Sequence, residues 1–321
     1  MNEPIEENLR GAIKDIARLI EKFEIVRNKT LIEICRRNGI ELVSKESETH
    51  FVHELLETAI NQFTLKSFNQ LYSAGEKFRT ITLNQLLKLT VILPPQSWRG
   101  REQIYLQQFS TPPALGFLMA QILAPEAGKV ALEPSAGTGN LAIWLKSAGC
   151  RTEVNEISAR RRMLLELQGF QAHAINAEFL DDLLPDRIEP DYVLMNPPFS
   201  ASLGRADTRD SNFGFRHVEA ALLRLKPGGS LVALLGADAC LKTDKGKTFW
   251  HRINREYQVR AFLVVPREVF YKYGTTFQTV IVIVSKPESN DQPTFAKPQI
   301  CEFADLTEML RFVEVFNATK H

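Results

Sequence analysis

Hydrophobic positions follow two different periods along this chain. Up to about residue 95, apolar side chains recur every three or four positions with charged residues between them, which is typical of amphipathic helices. The pattern predicts helices over 5–38, 47–63 and 81–91, and therefore a helical accessory region over residues 1–95. The clearest stripe consists of Leu9, Ile13, Ile16, Ile20 and Phe23.

From about residue 105 short apolar runs alternate with helical stretches. The predicted helices are Leu141–Ser147, Ser158–Gln168, His217–Leu225 and Asp305–Phe316. The predicted strands are Val130–Glu133, Arg151–Asn155, Gln171–Ile175, Tyr192–Met195, Ser230–Leu235, Gln258–Val265 and Thr279–Val284. Such alternation predicts an α/β domain over residues 105–321, with a Rossmann-like, seven-stranded, mostly parallel sheet. Ligands of such sheets lie outside the carboxyl ends of the strands.

The composition is that of a globular protein and does not indicate a function. The chain has 321 residues, 44% of them hydrophobic and 24% charged, which is ordinary for a globular protein. Its apolar runs are too short to span a membrane, and Met1-Asn2-Glu3-Pro4 does not resemble a signal peptide. The cysteines lie far apart, so we expect reduced thiols, no metal site and a cytoplasmic protein. A net charge of +1 means that any nucleic-acid binding needs a local basic patch.

A glycine turn follows the first predicted strand. Glu133-Pro134-Ser135-Ala136-Gly137-Thr138-Gly139 leads into a helix, and such glycines let a ligand lie against the backbone. Alone, the turn also fits a dinucleotide site or a turn without a ligand. Glu156 ends the next strand, where a carboxylate can accept both hydroxyls of a ribose. Glu133 would repel a diphosphate and suits an ammonium group, which favours S-adenosylmethionine over a nicotinamide dinucleotide.

Two further strand ends carry candidate chemistry. Glu178 and Phe179 follow the third strand, where a carboxylate and an aromatic ring can bind an adenine. A surface acid beside a core phenylalanine is the alternative. The fourth strand ends in Asn196-Pro197-Pro198-Phe199, which combines an amide, two rigid prolines and an aromatic ring. These groups suit the immobilisation of a planar exocyclic amine, although a buried turn has the same composition.

In this order the motifs resemble a class I S-adenosylmethionine-dependent amino-methyltransferase of the γ-type DNA adenine-N6 family. Phe109-Ser110-Thr111-Pro112-Pro113 resembles the segment that precedes the glycine loop in that family. Val265–Phe270 and Tyr273-Gly274-Thr275-Thr276 resemble modification subunits of restriction systems. They are more similar still to methylase domains associated with strawberry-notch-type helicases on mobile elements. Glu178 stands where the family usually has aspartate, and the resemblance does not reach the N-terminal ninety residues.

The resemblance implies a role for each matching residue. Asn196, Pro197, Pro198 and Phe199 would be catalytic: the Asn196 side-chain oxygen and the Pro197 carbonyl would accept the two amine N–H groups, and Phe199 would stack on a flipped base. The expected cofactor-binding residues are Thr111, Pro112, Glu133, Pro134, Ser135, Ala136, Gly137, Gly139, Glu156, Ile157, Glu178, Phe179 and Asn196.

Basic and aromatic residues after the tetrapeptide are the candidates for contact with nucleic acid, although each group is also a common surface pattern. No large target-recognition domain is evident, so a partner chain is a candidate source of sequence specificity. The candidate residues are Arg205, Arg209, Phe213, Arg216, Lys242, Lys245 and Lys272.

Three functions remain open at this point. The first is methylation of N6 of adenine in DNA. The second is methylation of RNA or of a protein glutamine, because those enzymes carry the same tetrapeptide. The third is a non-catalytic, methyltransferase-like subunit that binds nucleic acid.

Overall fold

A computed structural model describes the chain over residues 3–42, 45–68, 75–96, 110–198, 201–202, 209–210, 213–273, 278–288 and 296–318. Within these ranges no helix is both long enough and apolar enough to cross a membrane. Phe109, Phe199, Arg205 and Gly274-Thr275-Thr276, which the sequence singled out, lie outside the described residues.

The structure describes four helices within residues 3–96: α1 (Glu3–Glu21), α2 (Asn28–Arg37), α3 (Lys45–Phe68) and α4 (Glu76–Ile92). The prediction that residues 5–38 are helical is wrong at residues 22–27, which separate α1 from α2. Phe23 adopts a left-handed backbone conformation with φ of 53°, which an α-helix cannot contain. The helices predicted over 47–63 and 81–91 correspond to α3 and α4.

An eight-stranded sheet follows, with the order β10-β8-β9-β7-β4-β1-β2-β3. Only β9 runs antiparallel to its neighbours in this sheet, so the sheet is mostly parallel, as predicted. A separate short hairpin contains β5 (Ala201–Ser202) and β6 (Arg209–Asp210). The strands of the main sheet are β1 (Val130–Glu133), β2 (Arg151–Asn155), β3 (Ala172–His173), β4 (Tyr192–Met195), β7 (Ser230–Gly236), β8 (Gln258–Val264), β9 (Thr279–Ser285) and β10 (Gln299–Glu302).

The predicted count of seven strands is one too low. The extra strand, β10, pairs in parallel with β8 at the edge of the sheet. Three of its four residues are exposed, and it lacks the apolar run that marks a buried strand.

Helices cover both faces of the sheet. On one face, Leu55 of α3, Trp144 and Val232 belong to a single buried cluster, so the N-terminal helices share a core with the sheet. On the other face, Val193 and Leu231 pack with Phe215 and Trp250. The remaining α-helices are α5 (Pro113–Leu123), α6 (Ala142–Ser147), α7 (Ala159–Leu167), α8 (Leu180–Leu183), α9 (Phe213–Arg224), α10 (Ala237–Leu241), α11 (Asp244–Glu256) and α12 (Leu306–Ala318), and the 3-10 helices are Ala177–Phe179 and Arg267–Tyr273.

Candidate active site

The order of strands in the sheet reverses at β1, between β2 on one side and β4 on the other. The chain passes from β1 to β2 and β3 on one side, and then returns to place β4 on the other side of β1. All four strands are parallel, so their carboxyl ends meet at one edge of the sheet. Such a switch point opens a crevice in which α/β proteins bind ligands. The glycine loop after β1 and Asn196 after β4 flank this crevice.

The glycine loop has a left-handed backbone at both glycines. Gly137 has φ of 56° and Gly139 has φ of 95°, conformations that only glycine adopts readily. The Gly137 N–H donates to Glu156 Oε2 at 2.7 Å, and the Ala136 N–H donates to the Asn155 carbonyl at 2.9 Å. The loop after β1 is therefore held by the end of β2.

Glu156 is buried, and both of its carboxylate oxygens accept backbone hydrogen bonds. The Ser158 N–H donates to Oε1 at 2.7 Å, which complements the Gly137 contact to Oε2. Burial raises the pKa of Glu156, although the neighbouring Arg161 guanidinium and these N–H groups oppose that rise. A carboxylate offers about four lone-pair positions, so each oxygen keeps one acceptor position for another partner.

Glu133 lies at the end of β1 with only 2% of its surface exposed. Its Oε2 accepts a hydrogen bond from the Ala142 N–H, at the start of α6. Burial raises the pKa of Glu133 well above 4.5, and the nearby charge of Glu156 adds to that rise. Glu133 thus supports a helix start and also places an acidic group beside the glycine loop.

Two large apolar side chains are exposed at the ends of neighbouring strands. Ile157 follows Glu156 with 53% exposure, and Phe179 ends the 3-10 helix after β3 with 51% exposure. Glu178 precedes Phe179, and one of its oxygens lies 3.6 Å from Arg216 Nη1. Arg216, a candidate for nucleic-acid contact, therefore lies beside the candidate adenine contact.

Asn196 directly follows β4 and is half-buried. Its Nδ2 donates to Thr111 Oγ1 at 3.0 Å, which orients the carboxamide group. Pro197 is buried and Pro198 half-buried. A Cβ added to Gly214, in the first turn of α9, would lie 3.3 Å from the Pro198 carbonyl oxygen, so α9 closely approaches the tetrapeptide.

The described groups fit S-adenosylmethionine. The loop backbone is open at Gly137, where an added Cβ would meet only Arg161, at 3.7 Å. Glu156 keeps acceptor positions for ribose hydroxyls, and Glu133 lies where it can attract an ammonium group. Ile157 and Phe179 offer apolar surface for an adenine ring. Thr111 and Pro112 are buried just before α5, and Pro134, Ser135 and Ala136 connect Glu133 to the glycines.

Several candidate nucleic-acid contacts already bind protein groups. Lys242 Nζ lies 2.8 Å from Asp238 Oδ1 on the same exposed surface, and Lys272 Nζ donates to the carbonyls of Val91 and Leu93 at the carboxyl end of α4. Lys245 is exposed at the start of α11. The side chains of Arg209 and Phe213 lie outside the described residues.

Sequence reasoning missed Asn155, the last residue of β2. Its Nδ2 donates to the carbonyls of Pro134 and Ile175, both at 2.9 Å, and its Oδ1 accepts the Ile175 N–H at 2.8 Å. This buried amide ties together the ends of β1, β2 and β3. An asparagine ending a strand next to Glu156 was the available signal, but it does not reveal three backbone partners.

The N-terminal region also contributes to the site, although its sequence showed little chemistry. Glu54, Glu57 and Asn61 of α3 contact the glycine loop and α7. The run Arg160-Arg161-Arg162 at the start of α7 is structural. Arg160 and Arg161 bind Glu54, while Arg162 Nη1 donates to the carbonyls of Glu156 and Ile157.

Residues 115–249 match the family model described as "Methyltransferase small domain". The matched segment runs from α5 into α11 and includes the glycine loop, Glu156 and Asn196. The fold is that of a class I methyltransferase.

Solved structures with this methyltransferase fold cover most of the chain at low identity. A candidate class I S-adenosylmethionine-dependent methyltransferase from Listeria monocytogenes is 18% identical, with 99% of this chain and 98% of that chain covered and a TM-score of 0.53. The M protein of the type I restriction enzyme EcoKI is 16% identical, with 90% and 76% covered and a TM-score of 0.53.

A modification subunit of a candidate type I restriction enzyme from Vibrio vulnificus is 14% identical, with a TM-score of 0.53. The match covers 90% of this chain but only 61% of that subunit. At these identities the likeness establishes the methyltransferase fold alone.

Proposed function

We propose that this protein transfers a methyl group from S-adenosylmethionine to an exocyclic amino nitrogen, and that the nitrogen is N6 of adenine in DNA. The observation that carries the proposal is the position of Asn196 across the switch point from the glycine loop. Its amide nitrogen is held by Thr111 Oγ1, so the orientation of its amide oxygen is set before substrate binds. Within this proposal, residues 105–321 form the catalytic domain and residues 1–95 its accessory region.

S-adenosylmethionine supplies a methyl group on a cationic sulfur. The chain's own task is to place the acceptor amine in line with that carbon–sulfur bond. The Asn196 oxygen and the Pro197 carbonyl accept the two amine N–H groups, which directs the nitrogen lone pair towards the methyl carbon. Transfer would form the nitrogen–carbon bond while the carbon–sulfur bond breaks and would leave a neutral thioether, and the methylated amine would then lose its extra proton to solvent.

DNA is the substrate that the combined observations favour. The Thr111-Pro112 segment, the glycine loop and the tetrapeptide occur in the γ-type order, and the similar folds include a modification subunit and the M protein of type I restriction enzymes. The same likeness supports a partner chain that provides sequence specificity.

The test is transfer of tritiated methyl groups from S-adenosylmethionine onto DNA, RNA and protein. We expect label in DNA, and a loss of about 10²–10³-fold in rate for Asn196→Ala, because an oriented polar group near the reacting atoms is removed. The matched control is Asn317→Ala in α12, where the side chain donates to the Gln121 carbonyl. It should leave the rate unchanged.

Any other result of the methyl-transfer assay would favour a different function or a different active site. Label that survives Asn196→Ala would show that the active site lies elsewhere. Label confined to RNA or to protein would replace DNA as the substrate. Cofactor binding by a folded wild-type protein that labels none of the three would indicate a non-catalytic subunit.

A further inference from the structure

Thr138 lies between the two left-handed glycines of the loop. Neighbouring glycines give a backbone many accessible conformations, so a loop of this kind needs external contacts to stay in one of them. Thr138 is only 3% exposed, and its side chain points away from the crevice into the protein. The partners of Thr138 therefore determine how well the loop is ordered.

Helix α3 provides two of these partners. The Thr138 hydroxyl donates to Glu57 Oε2 at 2.7 Å, and Asn61 Nδ2 donates to the Thr138 carbonyl at 2.9 Å. Glu57 and Asn61 are four residues apart and share one face of α3. Gln168 Nε2 provides a second donor to the same carbonyl, at 2.8 Å. Glu57 is itself fixed, because its Oε1 accepts from Gln96 Nε2 at 3.0 Å.

One turn earlier on the same face, Glu54 reaches α7, the helix that follows β2. Its oxygens accept from Arg160 at 2.6 and 2.9 Å and from Arg161 Nε at 2.9 Å. Arg161 is 5% exposed and lies beneath Gly137, close to Glu156. Burial by itself raises the pKa of Glu54, but the two arginines outweigh it, so the pKa is lowered and the pair stays charged.

We infer that α3 positions the cofactor site, with Glu57 acting through Thr138 to hold the glycine loop in its cofactor-binding conformation. The inference rests on the proposed function, because it assigns the loop to S-adenosylmethionine. It changes the role of the N-terminal region from an appendage to a determinant of cofactor affinity. Glu57 and Thr138 are positioning residues, since their contacts lie on the far side of the loop from the crevice.

The decisive comparison is between Thr138→Val and Thr138→Ser. Valine keeps the shape but removes the hydroxyl, whereas serine keeps the hydroxyl. Calorimetry with S-adenosylmethionine should show about a tenfold rise in Kd for Thr138→Val, equivalent to about 1.4 kcal/mol, and less than a twofold change for Thr138→Ser. Adding Glu57→Leu to Thr138→Val should raise Kd little further, because residues that act through one another are not additive.

Lys66→Ala is the matched control on the same helix. It removes an exposed ion pair with Glu21, at 2.6 Å, and should leave Kd unchanged. Asn61→Ala provides a milder test, because Gln168 still binds the Thr138 carbonyl; a rise of about threefold in Kd is expected. This variant decides the question if Thr138→Val does not fold.

Thermal unfolding of the cofactor-free variants separates positioning from simple stabilisation. If Thr138→Val and Asn61→Ala lower Tm but bind S-adenosylmethionine as tightly as wild type, α3 is only a packing element and the inference is overturned. If folded wild-type protein itself binds no S-adenosylmethionine, the proposed function fails instead. A tenfold effect that is rescued by Thr138→Ser and absent in Lys66→Ala supports the inference.

Discussion

Glu156→Gln tests whether Glu156 binds the cofactor or only anchors the backbone. Two of the carboxylate's roughly four lone-pair positions accept the Gly137 and Ser158 N–H groups, so about two remain for the two hydroxyls of a ribose. Glutamine keeps the shape but replaces one oxygen with an NH₂ group. The variant therefore loses the acceptor for one hydroxyl and also turns a donor towards one backbone N–H.

Both losses have a calculable size. A hydrogen bond to a charged group contributes about 1.5–3 kcal/mol, so Kd for S-adenosylmethionine should rise about 10–100-fold. The N–H that loses its partner is buried, so the free energy of unfolding should fall by about 1–3 kcal/mol. Isothermal titration calorimetry measures the first effect and urea denaturation of the cofactor-free protein measures the second.

Glu153→Gln is the control, because it makes the same chemical change on the same strand. Glu153 lies 3.7 Å from Arg151 and 3.4 Å from His173 in partly exposed pairs, which contribute about 0–1 kcal/mol. It should leave Kd unchanged. A 2′-deoxyribose analogue of the cofactor sharpens the test, since Glu156→Gln should respond less to the missing hydroxyl than wild type does. Lower stability with an unchanged Kd would refute the ribose assignment.

Three further predictions concern the proton on Glu133, the packing of α9 against the tetrapeptide and the role of Lys272. Burial raises the pKa of Glu133 well above 4.5, so above 4.5 the folded protein keeps a proton that the unfolded chain loses, and stability should fall as pH rises towards the raised value. Cofactor binding next to Glu133 should release that proton, so affinity should rise with pH in the same window. Glu133→Gln should weaken both trends, and the remainder belongs to Glu156, whose pKa is also raised; denaturation measures the first trend, and calorimetry in buffers of different ionisation heat measures the second. Gly214→Ala, which brings a Cβ 3.3 Å from the Pro198 carbonyl oxygen, should lower kcat about threefold to tenfold with cofactor Kd unchanged; unaltered turnover would show that the tetrapeptide tolerates the shift. Lys272→Met should lower the free energy of unfolding by about 1–2 kcal/mol, because the ammonium binds carbonyls at the carboxyl end of α4. A flatter salt dependence of DNA affinity would instead place Lys272 on a phosphate.

Buried strands were predictable from the sequence because their apolar runs are bounded by turn residues. Val130–Glu133 and Tyr192–Met195 have the predicted bounds, and so does Arg151–Asn155, although only its last two residues are buried. The edge strand Gln299–Glu302 was missed because exposed side chains carry no such pattern. The break after α1 was missed because Phe23 continues the apolar stripe, and neither glycine nor proline marks the left-handed turn.

The residues that line the crevice were predictable where they directly follow a strand. The glycine loop, Glu156 and Asn196 come together because parallel strands place their carboxyl ends at one edge. The contacts from α3 were not predictable, since Glu54 and Glu57 have the spacing of an ordinary solvated helix face. Their partners in the glycine loop and α7 lie between 81 and 107 residues away along the chain, for which a single sequence gives no local signal.

During synthesis, α3 leaves the ribosome before the residues that it packs against have been translated. Leu55 of α3 is fully buried in a core shared with later residues, and α3 ends at Phe68 whereas α7 ends at Leu167. At about 5–20 residues per second, the roughly 100 intervening residues take about 5–20 s to synthesise. During that interval the nascent helix exposes apolar surface, which is what holding chaperones bind. Cellular yield of this protein should therefore depend on chaperone supply and on translation speed over residues 69–167.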